Sequence, residues 1–240
     1  AIADFSKSIE LQPAMMEYFQ MRADEYMANG QPELARKDLD HIEWSYELDA
    51  LNRELNARPK DPACWVARGQ HLEKVQRWEE ALKNYDDALK LNKERVDAQL
   101  GRASVLFHTG KNDEALAICD AILKAGPDRN ASSVKGDILT QLGRLDEAIA
   151  EYKLAQRFDS EVAQAYFKRG QERKASGEIQ QASADIIQAV KMDPSLKSQA
   201  TDVQVPDEEP AAPSAPGAFP VEASEAATPV EPNPPAQQQP

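Results

Sequence analysis

The sequence predicts an all-α fold, a solenoid of stacked helix pairs, on two observations. An alanine recurs at Ala1, Ala35, Ala81, Ala115, Ala148 and Ala182, with separations of 34, 46, 34, 33 and 34 residues. Each is followed at three- and four-residue steps by further apolar residues, the 3.6-residue period of an amphipathic helix. The outlying 46 is one period plus an insertion of 12.

The elements follow in order. Residues 1–15 read as a lone second helix with Phe5 and Ile9 on its apolar face; this predicts an upstream repeat, or a partner covering that edge. Residues 16–61 hold the first complete pair, with Phe19, Ala23 and Tyr26 on the leading helix and Ala35 opening the second. The second helix carries the insertion, between Ile42 and Lys60. No Gly or Pro lies between Glu33 and Arg58, which favours one long helix from Pro32 to about Asn56. The apolar stripe, however, changes face from Ala35, Leu39, Ile42 and Tyr46 to Leu48, Leu51 and Leu55, as two helices broken near Ser45 would.

Four regular units follow. Residues 62–95 contain Trp65, Gly69 and Leu72, then Ala81, Tyr85 and Ala88; residues 96–128 contain Ala103, then Ala115, Cys119 and Ile122. Residues 129–162 contain Gly136, then Ala148, Tyr152 and Ala155, and residues 163–196 contain Tyr166 and Gly170, then Ala182, Ile186 and Ala189. Gly30, Gly110, Gly143 and Gly177 stand five residues before their alanines, where a left-handed turn must end one helix before the next begins. Residues 197–240 differ: ten of the residues from 201 onward are Pro, and from Asp202 there are seven acids and no Lys or Arg. Too little apolar area is available there to offset the entropy of ordering, so a disordered, acidic Pro/Ala/Glu-rich tail is predicted.

These residues resemble the tetratricopeptide repeat, whose pattern is W-x2-L-G-x2-Y, then A-x3-F, then P. The match runs from Ala1 to about Pro194, with departures: Arg22, Arg68, Arg102 and Arg169 stand at the Leu position, and Arg173 replaces the last aromatic. Long arginine stems can lie on apolar surface with the charge in water. The resemblance implies a right-handed superhelical solenoid of antiparallel helix pairs. It implies a non-catalytic interaction scaffold as well, or the targeting region of a larger enzyme whose catalytic domain lies outside this chain.

Composition and local chemistry exclude other classes. The formal net charge is −13, a poor match to nucleic acid, which needs clustered Lys and Arg. The two cysteines, Cys64 and Cys119, make no disulfide framework. The apolar runs are too short for a membrane span and no secretory leader opens the chain, which together favour a cytoplasmic location. His41, His71 and His108 share no metal-ligand spacing and read as solvated or boundary side chains. No nucleophile has a base beside it and no Gly-rich phosphate loop occurs, so no catalytic residue, cofactor or metal is expected.

The resemblance places a partner-binding groove on the leading helix of each unit, offset from the stripe that packs the pair. It implies Asp24 and Met27 (with Gln20) in the first complete unit, Val66, Gln70 and Glu73 in the next, and then Leu100, Ser104 and Phe107. Asp137 (with Ser133 and Thr140), followed by Phe167 and Gln171 (with Lys174), complete the groove. Relatives that grip acidic chaperone C-termini use Lys, Arg and Asn on these faces. Here the corresponding places carry Val66, Gln70, Gly101, Asn130 and Val134, so that clamp is not expected. The acids Asp24, Glu73 and Asp137 suggest a basic peptide or helix as partner, and the exposed N-terminal edge is open to self-association.

Overall fold

The computed structural model describes residues 1–200, so the predicted tail lies almost entirely outside the described residues. The chain forms eleven α-helices among those residues: α1 (Ile2–Leu11), α2 (Met16–Ala28), α3 (Pro32–Ala57), α4 (Pro62–Glu73), α5 (Trp78–Leu91), α6 (Val96–His108), α7 (Asn112–Ala125), α8 (Arg129–Gln141), α9 (Leu145–Ala155), α10 (Ser160–Ala175) and α11 (Ile179–Met192). A short 3-10 turn, Pro194–Gln199, follows α11. No strand occurs among the described residues, and none of their helices is long and apolar enough to cross a membrane.

Local sequence explains where the helices start and stop. Asp61, Asp128 and Asp159 cap α4, α8 and α10, each side chain accepting from a backbone N–H of the first turn. The turns inside the pairs need a left-handed residue, and Gly30, Gly110, Gly143 and Gly177 supply it at φ 69°, 80°, 74° and 88°. In the pair α4–α5 Gln76 stands at that place and adopts φ 60°.

The alanines and glycines set the spacing of the helices. Ala35, Ala81, Ala115 and Ala148 are fully buried, and so are the large side chains Tyr85, Tyr152, Leu72, Leu106 and Ile138. Gly69 and Gly101 both lie against the Tyr85 ring, so this one tyrosine joins its own pair to the next; Gly136 lies against Tyr152.

The arginines at the Leu position are not solvated heads, and here the structure corrects the sequence reading. Arg22 donates to Asp38 at 2.6 and 2.8 Å, and Arg169 to Asp185 at 2.5 and 2.8 Å. Arg68 donates to the Asn84 side-chain oxygen at 3.1 Å, and Lys135 reaches Glu151 at 2.8 Å. In all four the partner is 16 residues on, directly across the antiparallel pair. At Arg102 that place is Ile118, and the guanidinium turns to Asp86 of the preceding pair at 3.0 Å. Asp38 and Asp185 are buried, so these contacts lie inside the hairpins where a lone charge would be costly. Arg173, at the missing aromatic position, joins Asp185 to Asp146 on α9.

The insertion forms one helix. α3 runs 26 residues without a break, about 39 Å at 1.5 Å per residue. It buries different faces along its length. Ala35 and Asp38 face α2, where the Phe19 and His41 rings lie 4.3 Å apart. Trp44 and Leu48 pack instead on the cluster containing Val66 and Leu72 of α4. His71 is buried, contrary to its reading as a boundary side chain. Its ring stacks on Trp44 at 5.1 Å, its Nε2 donates to the Trp44 carbonyl at 2.8 Å, and the Trp44 indole donates to the His71 carbonyl at 3.2 Å.

Candidate functional site

The leading helices α6, α8 and α10 open onto a shared cleft of about 490 Å³. Phe107, Val134 and Ala165 give it an apolar wall; Ser104, Thr140, Gln141 and Gln164 set hydroxyls and amides around that wall; Lys168 and His108 stand at the edge. The floor is the Tyr152 hydroxyl, which donates to Asp137 at 2.9 Å and lies 3.0 Å from Thr140 Oγ1.

Asp137 is held from a second side. Arg157, in the α9–α10 connection, donates to both its oxygens at 2.7 and 2.8 Å and to Ser133 at 3.1 Å, and also engages Asp159 and Glu161. The Arg157 charge is therefore spent on acids of its own chain. A similar arrangement two pairs away joins Tyr85 to Glu73 at 2.8 Å. Burial is the largest influence on Glu73 and Asp137 and holds both carboxyls above their ordinary values. Bonds from Tyr85 and Ser104 to the one, and from Tyr152 and Arg157 to the other, draw them partly back.

That direction fixes a testable sign. A carboxyl that holds its proton more tightly in the folded state opposes folding when ionised. The cost is present above its folded pKa and relieved as pH falls through that value. Glu73→Gln keeps an oxygen for the Tyr85 hydroxyl and removes the charge. Its melting temperature is expected to exceed that of the parent at neutral pH, with the gain shrinking on acidification in paired thermal melts. A loss of stability at neutral pH would contradict the burial argument.

The residues expected in the groove divide in the structure. Ser104, Phe107 and Asp137 come together in the cleft. Leu100 is half-buried on α6, and Gln70 and Gln171 are exposed on α4 and α10. Asp24 and Met27 are exposed on α2. Val66 and Phe167 are corrections: at 3% and 6% exposure they are core side chains, Val66 packing with Leu72, Tyr85 and Val105. Val66 sits where α4 meets α6 of the next pair, whose Ala98 and Val105 share its cluster.

Sequence reasoning missed the roles of Arg157, Gln164 and Lys168 in the cleft. The groove that the resemblance implies lies on the leading helices and does not reach the connection that holds Arg157. The available signal was Arg157 between Asp137 and Asp159 in the sequence. No group of three or more His, Cys, Asp or Glu that could hold a metal ion occurs among the described residues. Burial pushes the Cys119 thiol up to about 12, so it is protonated and unreactive at neutral pH.

Comparison with known proteins gives a consistent family. Models described as tetratricopeptide repeat match residues 66–130 and 163–196, and one described as TPR repeat matches residues 136–174. Among curated proteins, Tetratricopeptide repeat protein 6 of Homo sapiens is 22% identical over 194 residues, covering 81% of this chain and 36% of the relative. The DnaJ homolog subfamily C member 7 homolog of Schizosaccharomyces pombe is 26% identical over 140 residues, covering 51% of this chain and 29% of the relative. The chain thus spans about a third of the length of these relatives. Among solved structures, MamA 41-end from Desulfovibrio magneticus RS-1 is similar at a TM-score of 0.50 and 19% identity, covering 75% of this chain and 96% of that one. The MamA RS-1 ArsTM double mutant is similar at a TM-score of 0.50 and 20% identity, covering 78% and 97%.

Proposed function

This chain belongs to the tetratricopeptide repeat family, and from that premise we propose that it is a non-catalytic scaffold holding a peptide or helix of a partner protein in the cleft of α6, α8 and α10. The units of the scaffold are residues 16–61, 62–95, 96–128, 129–162 and 163–196, with residues 1–15 as a lone second helix. One observation carries the reading: three successive leading helices bring an apolar wall and a row of hydroxyls and amides to one open concavity. A bound segment would place one or two apolar side chains against Phe107, Val134 and Ala165. Its main-chain groups would meet Gln141, Gln164 and Ser104, a division of labour common in peptide recognition.

The charge of the partner is narrower than three acids suggest. Asp137 is already engaged by Arg157, and Glu161 and Lys168 line the cleft together, so the cleft offers little net charge and its selectivity rests on shape and hydrogen bonding.

Selection of short peptides from a random library on the full chain supplies the probe. Phe107→Ala is expected to weaken the selected peptides about five- to thirtyfold, roughly 1–2 kcal/mol; because Phe107 also packs on the cluster of Leu106, Cys119 and Ile138, binding is measured well below the melting transition of the variant. Phe167→Ala, by contrast, should act on stability, since its ring is buried. Unaltered binding by Phe107→Ala would sink the cleft as the binding site.

A further inference from the structure

The long helix α3 displaces the pair that follows it. In the regular array, Ala88 of α5 shares a core cluster with Ala98, in the first turn of α6. Trp44 occupies nearly the equivalent place on α3, yet it meets His71 in the last turn of α4. The α4–α5 pair is therefore displaced toward the C-terminal end of α3.

The shift uncovers a surface that every other pair buries. Tyr85, Cys119, Tyr152 and Ile186, four residues after their alanines, are at most 4% exposed. Leu39, at the same place after Ala35, is 37% exposed. Met27 stands twelve residues before Leu39, the spacing at which Glu73 meets Tyr85 and Thr140 meets Tyr152, and it is 58% exposed. Tyr46, seven residues along α3 on the same face as Leu39, is 61% exposed. In the neighbouring unit this place belongs to a helix: α6, lying along α5 with Gly101 against Tyr85. The rim is acidic. α2 and α3 carry ten acids and four bases, and two of those bases are occupied, Arg22 by Asp38 and Arg36 by Asp40. Glu43 and Asp49 are exposed beside the apolar stripe.

We infer that Met27, Leu39 and Tyr46 form a second docking site, separate from the cleft, for one basic amphipathic helix of a partner protein. That helix takes on α3 the place that α6 takes on α5. Its apolar face covers Leu39 and Tyr46, and its Lys or Arg residues face Glu43 and Asp49. Helix-in-groove recognition reads partners through anchors at such spacing, and opposite charge at the rim speeds encounter and rejects acidic competitors.

The probes are two labelled peptides of about four helical turns, one patterned from Leu and Lys and the other from Leu and Glu, titrated against the full chain by fluorescence anisotropy. The Leu/Lys peptide should bind and the Leu/Glu peptide should not. Leu39→Ser and Tyr46→Ser should each weaken binding by about tenfold, the loss of one apolar anchor, while Phe107→Ala leaves it unchanged. Tyr46 is largely exposed, so its variant tests docking without disturbing the fold; circular dichroism checks that Leu39→Ser stays helical. Hydrogen exchange in the complex should slow in α2 and the first half of α3. Three results overturn the proposal: equal binding of both peptides, parental affinity in both serine variants (adsorption to an acidic surface only), or protection confined to the cleft helices.

Discussion

Asp185→Ala is expected to destabilise the α10–α11 pair by about 3 kcal/mol, the lower end of the range for removing one partner of a buried ion pair. The carboxylate is buried and accepts from Arg169 Nε, Arg169 Nη2 and Arg173 Nη1 at 2.8, 2.5 and 2.9 Å. Its removal leaves two guanidiniums in the hairpin whose remaining acid, Asp146, is mostly solvent-facing. Asp146→Ala should cost far less, within about 1 kcal/mol, as for other exposed pairs. Urea unfolding followed by circular dichroism measures both. Equal losses would show that burial does not separate the two acids, and the account of the arginine positions would fall with it.

Gly136→Leu is expected to cost about 1–3 kcal/mol by overpacking. A Cβ built at Gly136 comes within 2.5 Å of the Tyr152 ring, so even the first carbon of a side chain must displace a fully buried tyrosine. That ring also carries the hydroxyl bonded to Asp137 and Thr140. The substitution should therefore damage the cleft as well as the α8–α9 pair. Repeat arrays transmit strain mainly to nearest neighbours. Native-state hydrogen exchange should accelerate first in α8 and α9, then in the pairs on either side. A uniform acceleration across residues 1–200 would argue against that division into units.

Four of the thirteen residues that line the candidate cleft were legible in the sequence. Ser104, Phe107, Asp137 and Thr140 follow from the groove that the family resemblance implies on the leading helices, because a residue's face is a local property. Whether that face meets solvent is not local. Val66 and Phe167 occupy places equivalent to Leu100, yet both are buried, and Arg157 enters from a connection to which no helical period applies.

The sequence by itself determined the helix pairs, their number and their spacing. Alanine and glycine recur wherever two backbones approach closely, and glycine marks most of the left-handed turns; both constraints act through the residue's own geometry. Only the tertiary structure decided how the insertion is used and where the charges go. A helix keeps its hydrogen bonds whichever face it buries, so the change of stripe along α3 is compatible with one helix or two. It is α2 against one half and α4 against the other that assign the faces and leave Leu39 uncovered. Likewise Arg22 and Asp38, or Arg169 and Asp185, are unrelated along a single helix. Antiparallel pairing brings them together, where low solvent access makes an ion pair stable and either charge alone costly.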